Sequence, residues 1–172
     1  MNDTLMKKQI STDQNETNIR EVLRLLTEMP SKFEVLCARL SKEQLRKPVA
    51  AGERTPTEVL AHILHCEAIT SQAIYLALLT EQPMLPDIHA ERDLGKLLRL
   101  DMLSFEELLS YFKIRRIVLG RVLESLSEKK WARVTQESKK ARRESVYWRA
   151  RGQALHELEH LLDLEARLGV KS

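Results

Sequence analysis

Apolar residues recur along this chain at the three-and-four spacing of helices, in four long blocks. In the first, Ile19, Val22, Leu23, Leu26, Phe33, Leu36 and Leu40 line up over about residues 16–40. Pro30 lies inside this block, where it removes a backbone donor and crowds the preceding turn, so a kink or a fresh start is expected. Ser41, with Gln44 three residues on, should cap a short helix over residues 42–46. The second block opens at Thr55-Pro56. Threonine suits the N-cap, proline the first helical position, and Glu58 completes the capping-box spacing. This helix is expected to run to about Leu79. Pro83 and Pro86 bracket a loop, and residues 86–100 read as irregular or only partly helical. Ser104 and Glu107 begin the third block, which continues through Leu108, Leu109, Phe112, Ile117, Leu119, Val122 and Leu126. A loop or single helical turn follows around residues 127–131. The fourth helix starts somewhere between Arg143 and Gly152 and stops at Gly169.

Four amphipathic helices with loops of moderate length describe an all-α protein, a four-helix bundle. A chain of 172 residues suits one domain, placed at residues 15–169 and preceded by a polar tail over 1–14 that is expected to be flexible. Hydrophobic residues at 43% and charged residues at 31% fit a soluble globular protein, and five Gly and five Pro argue against an all-β fold. The net charge of +3 is too small to single out a nucleic-acid partner. Ala73 to Leu79, the longest convincing apolar run, is too short to span a membrane, and the N-terminus lacks an apolar signal core. Cys37 and Cys66 sit within apolar helical patterns and are expected reduced and buried, which suits a cytoplasmic location.

The chemistry concentrates in His156-Glu157-Leu158-Glu159-His160. Helical positions i and i+4 are offset by roughly 40° and about 6 Å along the axis, so both imidazoles can reach one metal ion at about 2.0–2.1 Å. The stretch matches the H-E-x-x-H pattern of helical zinc sites. Its extended protease form needs Gly at 163 and His at 166, and the chain has Asp163 and Ala166. A third ligand must come from elsewhere. His62 is the best supply, on one helical face with Val59, Cys66, Ile69, Ala73 and Leu76, although a core histidine bonded to a carbonyl reads equally well. His65 lies at the edge of that face, and His89 falls in the proline-flanked loop. His156 and His160 project away from the leucine stripe of their helix, beside Arg149, Gln153, Asp163 and Arg167, and the plain alternative is a solvated surface. Cys66 is a soft ligand or nucleophile on one reading and an inert core thiol on the other. The basic cluster Lys139, Lys140, Arg142, Arg143, Arg149 and Arg151 around Tyr147 and Trp148 is either a solvated loop or an electropositive rim for an anionic substrate.

Several pieces in order resemble one family: Met29-Pro30 with Leu40-Ser41-Lys42-Glu43-Gln44-Leu45; Thr55-Pro56-Thr57-Glu58-Val59-Leu60-Ala61-His62, with Glu67 beyond; Arg115 or Arg116; Leu123 to Ser127 and Trp131-Ala132-Arg133; and His156 to His160. Together they resemble the DinB/YfiT-like family of four-helix-bundle metalloenzymes. The resemblance implies up-down-down-up connectivity, a homodimer, and a metal held by His62, His156 and His160. The family often has Trp just before the cap of the second helix; here Arg54 stands there.

The expected function is a divalent-metal-dependent enzyme, with zinc or nickel on three neutral imidazoles and an open fourth position for water or a thiolate. The reaction is thiol transfer, with a low-molecular-weight thiol as cofactor, or hydrolysis of a small-molecule substrate. Glu157 or Glu67 would orient a ligand or act as base. The alternative is a non-catalytic helical dimerisation or stress-response module, associating through the leucine stripe of the fourth helix.

Overall fold

The computed structural model describes residues 10–169. Four long helices make the frame: α1, Glu16–Cys37; α2, Pro56–Leu79; α3, Phe105–Glu124; and α4, Val146–Leu168. Each starts on a side chain that satisfies donors left open in the first turn, worth about 1 kcal/mol apiece. Asn15 accepts from the Asn18 N–H at 2.9 Å, and Ser145 from the Trp148 N–H at 3.1 Å. Thr55 with Glu58 and Ser104 with Glu107 close reciprocal capping boxes, as Ser41 and Gln44 do on the short helix Lys42–Leu45. Gly169 ends α4 in the left-handed region, φ 67°, where glycine meets no steric cost.

α1 runs unbroken through Pro30 and stops at Cys37. Met29, Pro30 and Phe33 are all buried. Burying each large apolar side chain contributes about 1.5–3 kcal/mol, enough to offset the roughly 3 kcal/mol that an interior proline costs.

Two apolar clusters give the chain direction. In one, Met29, Phe33 and Leu36 of α1 pack with Leu60 and Ile63 of α2, Phe105, Leu108 and Phe112 of α3, and Leu161 and Leu164 of α4. In the other, Val22, Leu25 and Leu26 meet Ile74 and Ala77, Leu119 and Leu123, and Val146, Tyr147 and Ala150. Late residues of α1 therefore share an end with early residues of α2 and α3 and late residues of α4. The bundle is up-down-down-up, with α1 and α2 each packed between α3 and α4. The leucines of α4 belong to this core; Leu161 and Leu164 are buried and Leu155 and Leu158 pack against it. Among the described residues no helix is long and apolar enough to cross a membrane.

A small sheet, unforeseen in the sequence, closes one flank. Its strands are β1 (Met84–Leu85), β2 (Val134–Glu137) and β3 (Arg143–Ser145), in that order, with β1 parallel and β3 antiparallel to β2. Arg149 ties α4 to it, donating to Thr135 Oγ1 at 2.7 Å and pairing with Glu144 at 3.2 Å. Lys139 pairs with Asp87 at 2.6 Å, Lys140 with Glu137 at 2.8 Å, and Arg142 stacks 3.7 Å from the Trp148 ring centre. Most of the basic cluster is thus consumed locally. Arg133 donates to the carbonyls of Ala77 and Thr80 at the C-terminal end of α2, where a cation is favoured. Of the tail expected over 1–14, residues 1–9 lie outside the described residues. Ile10 is 2% exposed; its carbonyl accepts from Arg151 at 2.9 Å, and that of Ser11 from the Tyr147 hydroxyl at 2.6 Å.

Between the two apolar clusters lies a layer of buried charge. Arg116 of α3 donates to Glu157 of α4 at 2.5 Å, and Gln153 donates to the same oxygen at 2.8 Å. Thr70 of α2 donates to Gln153 at 3.1 Å. Beside this chain, Arg115 pairs with Glu67 and donates to Ser71 Oγ at 2.8 Å. Arg116 and Glu157 have side chains only 5% and 0% exposed. Glu157→Ala would leave the Arg116 guanidinium buried without a counter-charge, so urea unfolding should show a loss of about 3–5 kcal/mol, largely recovered when Arg116→Met and Glu157→Leu are combined. A single variant as stable as the parent would show that the pair holds nothing.

Candidate metal centre

α2 and α4 run antiparallel in contact, so an early residue of α2 meets residues beyond the middle of α4. That geometry sets His62 against His156 and His160. His62 Nε2 is 3.2 Å from His156 Nε2, which in turn is 3.1 Å from His160 Nε2. The ring centres of the three imidazoles lie 4.6–5.1 Å apart. Two nitrogens bound tetrahedrally at about 2.05 Å to one ion stand about 3.3 Å apart, close to both measured separations. The structure therefore brings the three predicted histidines together.

The polar face of α4 is turned inward, not into solvent. Arg149, Gln153 and Glu157 on it are buried, and His156 and His160 are half-buried. Burial lowers the imidazole of His156 from 6.5 to about 4, helped by the charges of His62 and Arg54. Burial likewise lowers His160 to about 3, with His156, His62, Arg54 and Arg167 adding to it. Both rings are neutral at pH 7, the form that ligates a metal. His156 Nδ1 is buried with no hydrogen-bond partner.

The carboxylate on the site is Glu91, which the sequence did not single out. Its Oε1 lies 2.5 Å from His62 Nδ1 and 3.5 Å from His65 Nδ1. A carboxylate only accepts, so Nδ1 of His62 carries the proton and Nε2 offers its lone pair toward His156. Burial raises the Glu91 carboxyl, but the hydrogen bonds and charges of His62 and His65 outweigh it and leave Glu91 below its ordinary value. A π-helical turn, Ala90–Gly95, positions it. His89 caps that turn, its Nδ1 accepting from the backbone N–H of Glu91 at 3.2 Å and of Arg92 at 3.1 Å. Turns of this wide type recur at functional sites.

Glu67 and Glu157, expected to orient a ligand or act as base, sit instead in ion pairs with Arg115 and Arg116. Burial keeps the Glu157 carboxyl above its ordinary value, although Arg116 and Gln153 pull the other way. His65 is 3% exposed, with Nε2 unpartnered, and points to the Glu91 side. Ligand atoms of His62, Cys66 and His156 also lie within 4.8 Å of one another. Cys66 Sγ is 3.8 Å from His62 Nε2 and 4.0 Å from its Nδ1, so the sulfur flanks the ring and does not extend its tip. Burial, then the charge of Glu91, pushes this thiol up to about 11, which keeps it protonated.

Residues 25–164 match the model of the DinB superfamily, and the chain belongs to that superfamily. No curated protein matches it. Among solved structures it is similar to YfiT from Bacillus subtilis, described as a probable metal-dependent hydrolase with an unusual four-helix bundle topology. The TM-score is 0.79 at 16% identity, over 95% of this chain and 94% of that one.

In metal-free protein the lowered pKa values have a direct consequence. As pH falls below about 6.5, the unfolded chain takes up protons at positions 156 and 160 before the fold does, so stability declines from about 6.5 until the folded rings themselves protonate, at about 4 for His156 and about 3 for His160. An NMR titration should leave the ring signals of His156 and His160 in their neutral pattern down to about pH 5. A midpoint near 6.5 for either ring would show it solvated.

Proposed function

We propose that this DinB-superfamily chain is a divalent-metal-dependent hydrolase of a small molecule, with His62, His156 and His160 as metal ligands. The carrying observation is the meeting of three imidazole nitrogens at one point, two of the separations being 3.2 and 3.1 Å, with a carboxylate on the far nitrogen of His62. Three neutral imidazoles suit zinc or nickel. Such an ion, when bound, supplies Lewis-acid chemistry and brings the pKa of a ligating nucleophile toward neutral.

The chain's own residues do the rest. Glu91 fixes the tautomer and ring plane of His62 and increases its basicity as a ligand. The Arg116–Glu157 pair, one residue along α4 from His156, holds the register between helices that the histidines need. Hydrolysis is taken first because the similar YfiT structure is described as a probable metal-dependent hydrolase; thiol transfer would draw its thiol from a low-molecular-weight cofactor.

Mass spectrometry of untagged protein purified without chelators should find about one zinc or nickel per chain. His62→Ala and His156→Ala should each abolish it, and Glu91→Ala should weaken affinity by about 10–100-fold. Unchanged occupancy in His62→Ala would overturn the ligand set. Hydrolysis of small esters and amides should stop on chelation and return with metal. A rate that appears only with an added low-molecular-weight thiol would move the reaction to thiol transfer.

A further inference from the structure

We propose that the cleft beside His62 contains an anion subsite, formed by Arg54 and Lys96, for the carboxylate or phosphate group of a small-molecule substrate. The inference rests on the metal-centre reading above and adds the substrate's charge to it.

The cleft has a volume of about 620 Å³. His62, His65 and Glu91 line it together with Arg54, Lys96 and Arg99. Four carboxylates also line it, but each is already engaged. Glu53 pairs with Arg167 at 2.8 Å, and Glu58 accepts from the Thr55 N–H at 2.7 Å. Glu91 is held by His62 at 2.5 Å, and Asp101 pairs with Arg99 at 3.3 Å. The side chains of Arg54 and Lys96 have no hydrogen-bond or ion-pair partner among the described residues. Arg167 and Arg99 balance Glu53 and Asp101, so Arg54 and Lys96 are the cations of the cleft without an ion-pair partner among the described residues, set against the charges of Glu58 and Glu91.

Their positions follow from the fold. Arg54 immediately precedes Thr55, the N-cap of the 24-residue α2, so it sits at the positive end of that helix. Lys96 directly follows the π-helical turn that sets Glu91 on His62, so one turn places both. Both side chains are exposed and free to reorganise about a ligand. A guanidinium presents a planar fork that matches carboxylate or phosphate oxygens, and an ammonium adds a point charge. A divalent ion at the histidines would tip the charge balance of the cleft to positive, which favours anion entry and retention. A substrate with its reactive group toward His62 and its charged group toward Arg54 and Lys96 satisfies both ends.

Cobalt(II)-loaded protein provides a test that does not depend on activity. Its visible absorption would be followed while α,ω-dicarboxylates from succinate to adipate are titrated in, each compared with its monoamide. Either member of a pair can place one carboxylate at the metal; only the diacid carries a second charge for the cations. At least one diacid should bind about fivefold or more tightly than its monoamide, as two partly exposed charge contacts allow. In the Arg54→Gln/Lys96→Gln double variant the ratio should fall to about two, the statistical factor for two equivalent ends, with cobalt uptake unchanged. A ratio the same in both proteins overturns the subsite while leaving the metal centre standing. Protein that takes up no cobalt overturns the metal reading and the subsite with it.

Discussion

The antiparallel contact of α2 with α4 is the constraint on which the site depends, and a buried charge layer sets its register. Arg116 reaches from α3 to Glu157 on α4, which Gln153 links on to Thr70 of α2. Apolar side chains tolerate sliding by a turn, because leucine against leucine is nearly degenerate. A carboxylate with 0% exposure and one guanidinium within reach is not degenerate, because a slip strands a charge in the core. The layer separates the two apolar clusters, and the histidines lie beside it. One turn of slippage, about 5.4 Å, would carry His156 out of reach of His62.

This layer also explains why the functional face of α4 is unlike an ordinary amphipathic helix. Ala150, Ala154, Leu161 and Leu164 fill the core, yet Arg149, Gln153 and Glu157 on other sides are buried as well. The helix has neighbours nearly all round: α1, α2, the sheet through Arg149, and the segment from Ile10 through Arg151. α2 is enclosed in the same way, so His65, Glu67 and Ser71 are buried alongside its apolar residues. Polar groups in such positions call for partners, and the pairs above supply most of them, while His65 Nε2, Arg116 Nε and Nη1 and Glu157 Oε2 are buried without one.

Local signals were the most legible in the sequence. The caps at Ser41, Thr55 and Ser104 follow from residues three apart and the stop at Gly169 from one glycine, and all four form as read. The bundle was legible from periodicity and its connectivity from family resemblance. The spacing of His156 and His160 announced a pair of rings on one face; His62 stood out as the best third ligand from its place on the second helix, and the resemblance strengthened that choice. Glu91 was invisible because it sits in a six-residue π-helical turn with no period to read; the sole hint was His89 ahead of Glu91 and Asp93, a cap-like pattern. The strands were missed because runs of two, four and three residues are too short to show alternation. Glu67 drew attention through the resemblance, beyond His62, and Glu157 by following His156 in the H-E-x-x-H pattern. On a helix, adjacent residues point about 100° apart, so each carboxylate faces the arginines of α3 while its neighbour faces the site.

The histidines themselves make little sense as a stabilising device. A pair of imidazoles can share one proton between facing nitrogens, but His156 Nε2 faces two rings at once, at 3.2 and 3.1 Å, and its Nδ1 has no partner. Burial drives two of the three rings neutral, so charge does not relieve the arrangement. A chain selected for stability alone could continue the pattern it uses one residue further on, where Leu161 packs without a polar atom to satisfy. A divalent ion held by His62, His156 and His160 would take up the three lone pairs together, which no proton can do, and its binding free energy would add to the fold's own. The same constellation that weakens the metal-free bundle would stabilise the loaded one, and the Glu91 contact favours the tautomer of His62 that makes this so.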